Sequence, residues 1–577
     1  MQPFDFFCSP QTIAQKQYEA LRMVFVERKT ITEAAQKFGY TYRGLTTIIS
    51  NFRKELKSGN SKVLYFKELK HGRKEIGQES KDVIISLRKK YYSVEDIKVA
   101  LDSKGFKISE KSIYNIIRQQ GFARLPRRQK LTKKSLVPTG LKADKTVPLT
   151  FIPESFKSAS AGILCLLPYI KKYGIDQIIE ASGFPGTSQI SKQSSILSFI
   201  AIKSSNARRY TADDLWCMDR GLGLFAGLNV LPKAAWFTSY SHRVTREMNL
   251  KFLKLLHLKW KELGLLGDTS NLDFTTIPYW GDNDHLENNW SGKRGKALAS
   301  MLAVLAQDPD SGIIDYGDTN VMHKDESAVV LEFIDFYGKD GTDRGPKYLA
   351  FDSKFTNYQN LGKLDDDGIK FITIRRRGKN IVDRLNALPQ KNWKTIRIQR
   401  AGNKKATIKV LDENISLKGY DKQIRQISIT GHGKIKPATI ISNDFDLTTE
   451  QVIRKYARRW IVEKSISEQI EFFHLNSVSS SMVIKVDFDL TMSIVTHNLF
   501  RLFASDTDRY QHKADQAVYE QFLDDAGDII IDENIIRIEL KKKRTLPLIL
   551  EKMNNFKELK YEWLNNFELN FTGASYS

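Results

Sequence analysis

At residues 271–281, "NLDFTTIPYWG", the chain changes its hydrophobic rhythm, and that change constrains the fold most. Upstream, "ILCLLPYIKKYGIDQIIEAS" and "NLKFLKLLHLKWKELGLL" repeat apolar residues at helical spacing, so 150–265 reads as a helical region. From 271 a strand pattern takes over, and one carboxylate, Asp273, sits inside the apolar run. A buried charge is costly unless it is paired or bound to a cation, so the fold must bring a partner to it. "KALASMLAVLAQD" and "GIIDYGDTN" read as two more strands, and "KDESAVVLEFIDFYGK" as an amphipathic helix. "PKYLAFDSKF" (346–355) reads as a buried strand ending at Asp352, and "IKFITIRRR" as a further strand. A β-rich insertion is expected over about 377–445, from "WKTIRIQR", "KKATIKVL", "QIRQISITGHG" and "KPATIISND". One helix is then predicted over 448–473, opened by Thr448 or Thr449 with Glu450 behind it. A mixed region, 501–577, closes the chain.

Charge divides the chain in another way. Of a net +23 over 577 residues, the first 150 residues hold 31 Lys and Arg against 14 Asp and Glu, or +17. A basic segment joined to a nearly balanced remainder points to a polyanion, and nucleic acid is the leading partner through counterion release. A membrane surface fits less well, because the basic residues face no Trp/Phe stripe on one amphipathic helix. Within 1–140 two outlines of helix-turn-helix form recur. In the first, Thr32 is expected to cap "EAAQKFG", Gly39 to end it, and a helix to run from about Tyr42 to Leu56. Ala34, Ala35 and Phe38 would pack on Leu45, Ile48 and Ile49, which leaves Tyr42, Arg43, Thr46 and Thr47 in reading positions. In the second, Ser93 and Ser109 are the caps, Gly105 the stop, and Lys111, Ser112 and Asn115 the corresponding positions. The linker "ARLPRRQKLTKKSLVPTG" adds Arg127 and Arg128 for a phosphate backbone or groove.

No apolar run approaches the roughly 18–20 residues that span a bilayer. The opening "MQPFDFFCSP" lacks the pattern of a secretion signal. Cys8, Cys165 and Cys217 form no CxxC pair. Together these lead to the expectation of a reducing cytoplasm and no membrane association.

Asp273, Asp352 and Glu463 lie on three separated elements, and three such carboxylates can converge on hard divalent cations. At about 100° per residue, Tyr456, Arg459 and Glu463 share one helix face, while Glu468 lies about 140° from Glu463. "DFTTIPYWG" and "YARRWIVE" together resemble the DDE transposases of bacterial insertion sequences. The first is similar to that family's first-Asp strand. The second is similar to its Tyr-x2-Arg-x3-Glu signature, through Tyr456, Arg459 and Glu463. The resemblance covers about 266–500. It implies an α+β multidomain fold: an N-terminal helix-turn-helix region, a helical middle, and an RNase H-like mixed sheet flanked by helices. It also implies catalytic and metal-ligating roles for Asp273, Asp352 and Glu463, with Mg²⁺ or Mn²⁺, two ions in all. Tyr456 and Arg459 would lie near DNA phosphates. Element ends and target DNA would be the partners, a homodimer on DNA the assembly, and the bacterial cytoplasm beside the nucleoid the location. The family's Lys seven residues after the Glu is replaced here by Ile470, with Gln469 and Lys464 as substitutes.

The loop 280–296 gathers Asp282, Asp284, His285 and Glu287 without a metal-ligand spacing, and its Trp290, Lys293 and Arg294 are candidates for contact with a DNA end. Two other readings stay open: a DNA-binding regulator with an inactive catalytic domain, and another RNase H-like nuclease.

Overall fold

Thr30, rather than Thr32, opens the second helix of the N-terminal unit. Its hydroxyl accepts from the Glu33 backbone N–H at 3.3 Å, and the Glu33 carboxylate accepts from the Thr30 N–H at 2.9 Å. This reciprocal box satisfies two donors that a cap at Thr32 would leave free. In this computed structural model the described residues are 10, 12–58, 76–89, 94–103, 106–122, 147–207, 214–279, 286–291, 296–338, 345–376, 378–399, 405–431, 437–475, 483–507 and 509–574. The chain divides into two units, Met1–Glu79 and Ser80–Ser577. The first contains helices Ile13–Phe25, Ile31–Phe38 and Tyr42–Lys57. Gly39 ends the middle one at φ 63°, a conformation that favours glycine. Ala34, Ala35 and Phe38 share a buried cluster with Ala20, Leu21, Met23, Leu45 and Ile49, and Ile48 packs at its margin.

Helices Gln78–Lys89, Val94–Ser103 and Glu110–Gln119 follow. Ser109 caps the last of these, its hydroxyl accepting from the Ser112 N–H at 3.2 Å. Ser93, Gly105 and the basic linker lie outside the described residues.

The strand pattern from 271 onward builds one mixed sheet of ten strands. They are β1 (Thr269–Pro278), β2 (Asn288–Ser291), β3 (Lys296–Gln307), β4 (Ile314–Val321), β5 (Tyr348–Phe351), β6 (Lys370–Ile374), β7 (Lys394–Gln399), β8 (Lys405–Leu417), β9 (Tyr420–Thr430) and β10 (Ala438–Ser442). The order is β2-β3-β1-β5-β6-β10-β9-β8-β7, with β4 on β3. Strands β1, β5 and β6 run parallel to one another, while β3 and β10 flank them antiparallel. The β-rich stretch is therefore a continuation of the sheet: β10 pairs with β6, Ile440 opposite Ile374. Helix Val329–Gly338 crosses between β4 and β5, and Tyr358–Asp366 between β5 and β6.

Residues 150–265 and 501–577, distinct in the sequence, share a second sheet. Strand Glu154–Ser158 pairs with Gly527–Ile531, and that pairs with Ile535–Leu540, which runs parallel to Phe567–Gly573. Helix Val483–Ser505 joins this part to the ten-stranded sheet. Its Phe488, Met492, Val495 and Leu499 belong to one core, and its Val486, Leu490 and Ile494 to the other. A helix apolar on all sides must be buried on all sides. Among the described residues no helix is long and apolar enough to cross a membrane.

Candidate active site

Parallel pairing places the first two acids side by side. Leu272 on β1 stands opposite Phe351 on β5, and Phe351 opposite Thr373 on β6. Asp273 and Asp352 each follow the paired residue, so they emerge from neighbouring strands about 4.8 Å apart. Asp273 is 9% exposed and accepts the Phe274 N–H at 2.8 Å. Asp352 leads into the short 3-10 turn Ser353–Phe355, whose Phe355 ring stacks on Phe274 with centroids 3.9 Å apart.

The third acid comes from a helix that the sequence predicts as continuous. The structure breaks it at Arg458–Arg459, into Thr449–Ala457 and Trp460–Glu471. Tertiary polar contacts account for the break. Asn271 Nδ2 donates to the Arg458 carbonyl at 3.1 Å. The Arg458 guanidinium pairs with Asp310 at 2.6 Å and donates to Pro309 O at 2.8 Å. Arg459 turns inward, where its side chain is 7% exposed. One of its nitrogens binds Asp273, and the other binds Glu463 Oε1 at 2.7 Å. Tyr456 is half-buried, with the guanidinium 5.6 Å from its ring centre.

The electrostatics follow from this burial. Loss of water pushes the Asp273 carboxyl up to about 6; Arg459 opposes the shift, and Glu463 and Asp352 add to it. Burial alone would lower the Arg459 guanidinium. Asp273, Tyr456, Glu463 and Asp352 outweigh burial and hold it above its ordinary value. Burial pushes Tyr456 up to about 12. Glu463 stays exposed on its outer side, at 49%. Three carboxylates are thus gathered around one guanidinium. This donor set, hard oxygens short of positive charge, fits divalent cations.

A second acidic group lies further along the same helix. Glu468, His497 and Asp515 each place one ligand atom within 4.8 Å of the others. This group reads as an ion network. His497 Nε2 faces Gly312 O at 3.0 Å and Nδ1 faces Asp515 Oδ2 at 2.6 Å. Arg501 holds the other Asp515 oxygen at 2.6 Å. Arg501 and His497 thus already partner the buried Asp515 carboxylate.

The remaining expected residues fall elsewhere. Arg43, Thr46 and Thr47 lie exposed on helix Tyr42–Lys57, the two hydroxyls donating back to Tyr42 O and Arg43 O at 2.7 and 2.9 Å. Ser50, Asn51 and Lys54, which the sequence pattern did not single out, line one shallow groove with Tyr42, Arg43, Thr46 and Thr47. Lys111 and Asn115 are exposed on helix Glu110–Gln119, while the Ser112 hydroxyl bonds to that of Ser109 at 2.9 Å. Arg127, Arg128, Lys293, Arg294, Asp282, Asp284 and His285 lie outside the described residues. Trp290 is 62% exposed on β2, and Glu287 accepts the His323 N–H at 2.9 Å. Ile470 packs against the core around the ten-stranded sheet. Of its suggested substitutes, Gln469 is fully buried, and Lys464 is exposed 4.0 Å from Glu468. Asn271 was also missed, although it sits two residues before Asp273 on the same face of β1.

The site is thus a parallel-strand edge bearing two aspartates, closed by a helix bearing a glutamate. Residues 270–499, which include Asp273, Asp352, Tyr456, Arg459 and Glu463, match the family model of the transposase DDE domain. Over that span the chain is similar to DDE transposases. It is similar to the piggyBac transposase in a cryo-EM structure of its synaptic complex with hairpin DNA. The two share 12% identity over 63% of this chain and 80% of that one, with a TM-score of 0.34. A likeness of that size carries no residue role across. No curated protein matches the chain.

Proposed function

We propose that this protein is a transposase that moves a bacterial insertion sequence. Its N-terminal helix-turn-helix helices bind the element ends, and the domain around the ten-stranded sheet cleaves a strand and joins the freed 3′-hydroxyl to target DNA. The observation that carries this is the meeting of Asp273 and Asp352 on adjacent parallel strands with Glu463, through Arg459. The strand order β4-β3-β1-β5-β6, with β1, β5 and β6 parallel, supports an RNase H-like catalytic domain. Asp273, Asp352 and Glu463 would hold Mg²⁺ or Mn²⁺, two ions in all. When bound, these ions polarise the scissile phosphodiester and lower the pKa of the attacking water. Tyr456 and Arg459 orient the glutamate against the aspartates and lie beside the DNA phosphates. Exposed Arg43, Thr46 and Thr47 with Lys111 and Asn115 supply end contacts, and two copies act on paired ends in the cytoplasm beside the nucleoid.

The test is an in vitro assay with DNA flanking the gene and Mg²⁺. The wild-type protein yields nicked and strand-transfer products. Glu463→Gln yields neither and still shifts the end duplex. Normal cleavage by Glu463→Gln rejects the assignment, and cleavage without any joined product favours a nuclease.

A further inference from the structure

The acids' edge of the sheet also carries two cations that no carboxylate among the described residues compensates. Lys354 lies two residues past Asp352 and is exposed, its ammonium 6.0 Å from the Phe274 ring centre. Arg376 follows β6, the next parallel strand, and is exposed as well. Its Nε donates to Ser353 O at 3.1 Å and its Nη2 to Lys354 O at 3.4 Å, so the guanidinium braces the turn that carries the lysine. Among the described residues neither cation has a carboxylate within ion-pair distance, whereas Arg459, Arg458 and Lys455 each do. Ligands of parallel sheets gather at the carboxyl ends of the strands, and this is that edge.

We propose that Lys354 and Arg376 form a phosphate-holding site for the DNA backbone next to the scissile phosphate. The pair suits this task for three reasons. Both charges are exposed and neither is ion-paired among the described residues, so neither must abandon a carboxylate. The Phe274–Phe355 stack and the Arg376 bonds fix the turn, so little side-chain and backbone freedom remains to be lost on binding. The acids repel a polyanion, and cations one turn away offset that repulsion where the strand must pass. Such contacts position DNA without reading its sequence.

This inference rests on the transposase reading, and the experiment separates the two. Binding of a flanking-DNA duplex is measured from 50 to 200 mM salt in the Glu463→Gln background, which does not cleave. Cleavage is measured in the otherwise wild-type protein. Lys354→Gln and Arg376→Gln should each reduce the slope of log K against log salt by about 1, the loss of one phosphate contact. Each should also lower kcat/KM for cleavage by about tenfold, as expected for one charge-assisted hydrogen bond. Lys354→Arg and Arg376→Lys should restore both values, because they keep the charge. An unchanged slope in both Gln variants overturns the proposal. So does an Arg376→Lys protein as impaired as Arg376→Gln beside an unaffected Lys354→Gln, since that pattern assigns Arg376 to bracing alone. If the parent protein neither cleaves nor binds the duplex, it is the transposition reading that fails.

Discussion

Replacing Asp273 with Asn should stabilise the cation-free protein. The Asp273 carboxyl is pushed from 3.8 up to about 6, chiefly by burial. An acid whose folded pKa is raised binds its proton more tightly when folded, so stability falls as the pH rises from about 4 to 6. At 1.36 kcal/mol per pKa unit, ionised Asp273 costs about 3 kcal/mol at pH 8. Asparagine keeps the shape without the charge, and Glu463 still pairs with Arg459. A unit of roughly 500 residues unfolds with an entropy near 1 kcal/mol/K, so the gain appears as about 3 °C in Tm. Calorimetry in EDTA from pH 4 to 8 reads this directly. The variant should be the more stable at pH 8, and the advantage should vanish near pH 4, where wild-type Asp273 is protonated. A variant less stable than wild type at pH 8, or a difference independent of pH, refutes the reasoning. The expected outcome is a residue kept for chemistry at the expense of stability.

Other outcomes follow from the same geometry. Millimolar Mg²⁺ should raise the wild-type Tm at pH 8 and leave the Asp273→Asn protein unmoved, with EDTA reversing the rise in the calorimeter. Asp412 accepts from Arg425 at 3.0 and 2.6 Å, and these bonds outweigh burial to hold its carboxyl below the usual range. Its stabilisation is therefore present above about pH 4 and lost as the pH falls further. Asp412→Ala should cost about 2–3 kcal/mol at pH 7 by urea denaturation, and progressively less in acid. Thr30→Ala removes the cap of helix Ile31–Phe38 and should cost about 1 kcal/mol, seen as faster proteolysis within the first 58 residues, with Thr32→Ala nearly silent.

Much of the candidate site's geometry was legible because its signals are local. Asp273 betrays itself as a charge inside an apolar run, and Tyr456, Arg459 and Glu463 by helical spacing. The Gly39 turn and the helices beside it followed from caps and periodicity. What the sequence concealed depends on distant partners. The helix break at Arg458 is made by Asn271 and Asp310, nearly 190 and 150 residues upstream, and no local propensity marks it. Arg459 was expected at DNA phosphates, yet without DNA its nearest anions are the acids themselves. Strand-like pieces over 377–445 gave no hint that β10 would return to β6, because alternation encodes a face and leaves the neighbouring strand unspecified.

The Asn271 contact has a geometric corollary. Asn271 grips the joint between the two helices, and Asp273 lies two residues further along the same strand. Two strand residues span about 6.7 Å. The offset between the first acid and the hinge that carries the third is therefore a ruler engraved in β1, and it owes nothing to the length of chain looping between them. Strands may be lengthened or trimmed across 377–445 without altering that offset, provided the graduation from Asn271 to Asp273 is kept. Moving the amide by one residue would turn it to the other face of the sheet and unfasten the hinge.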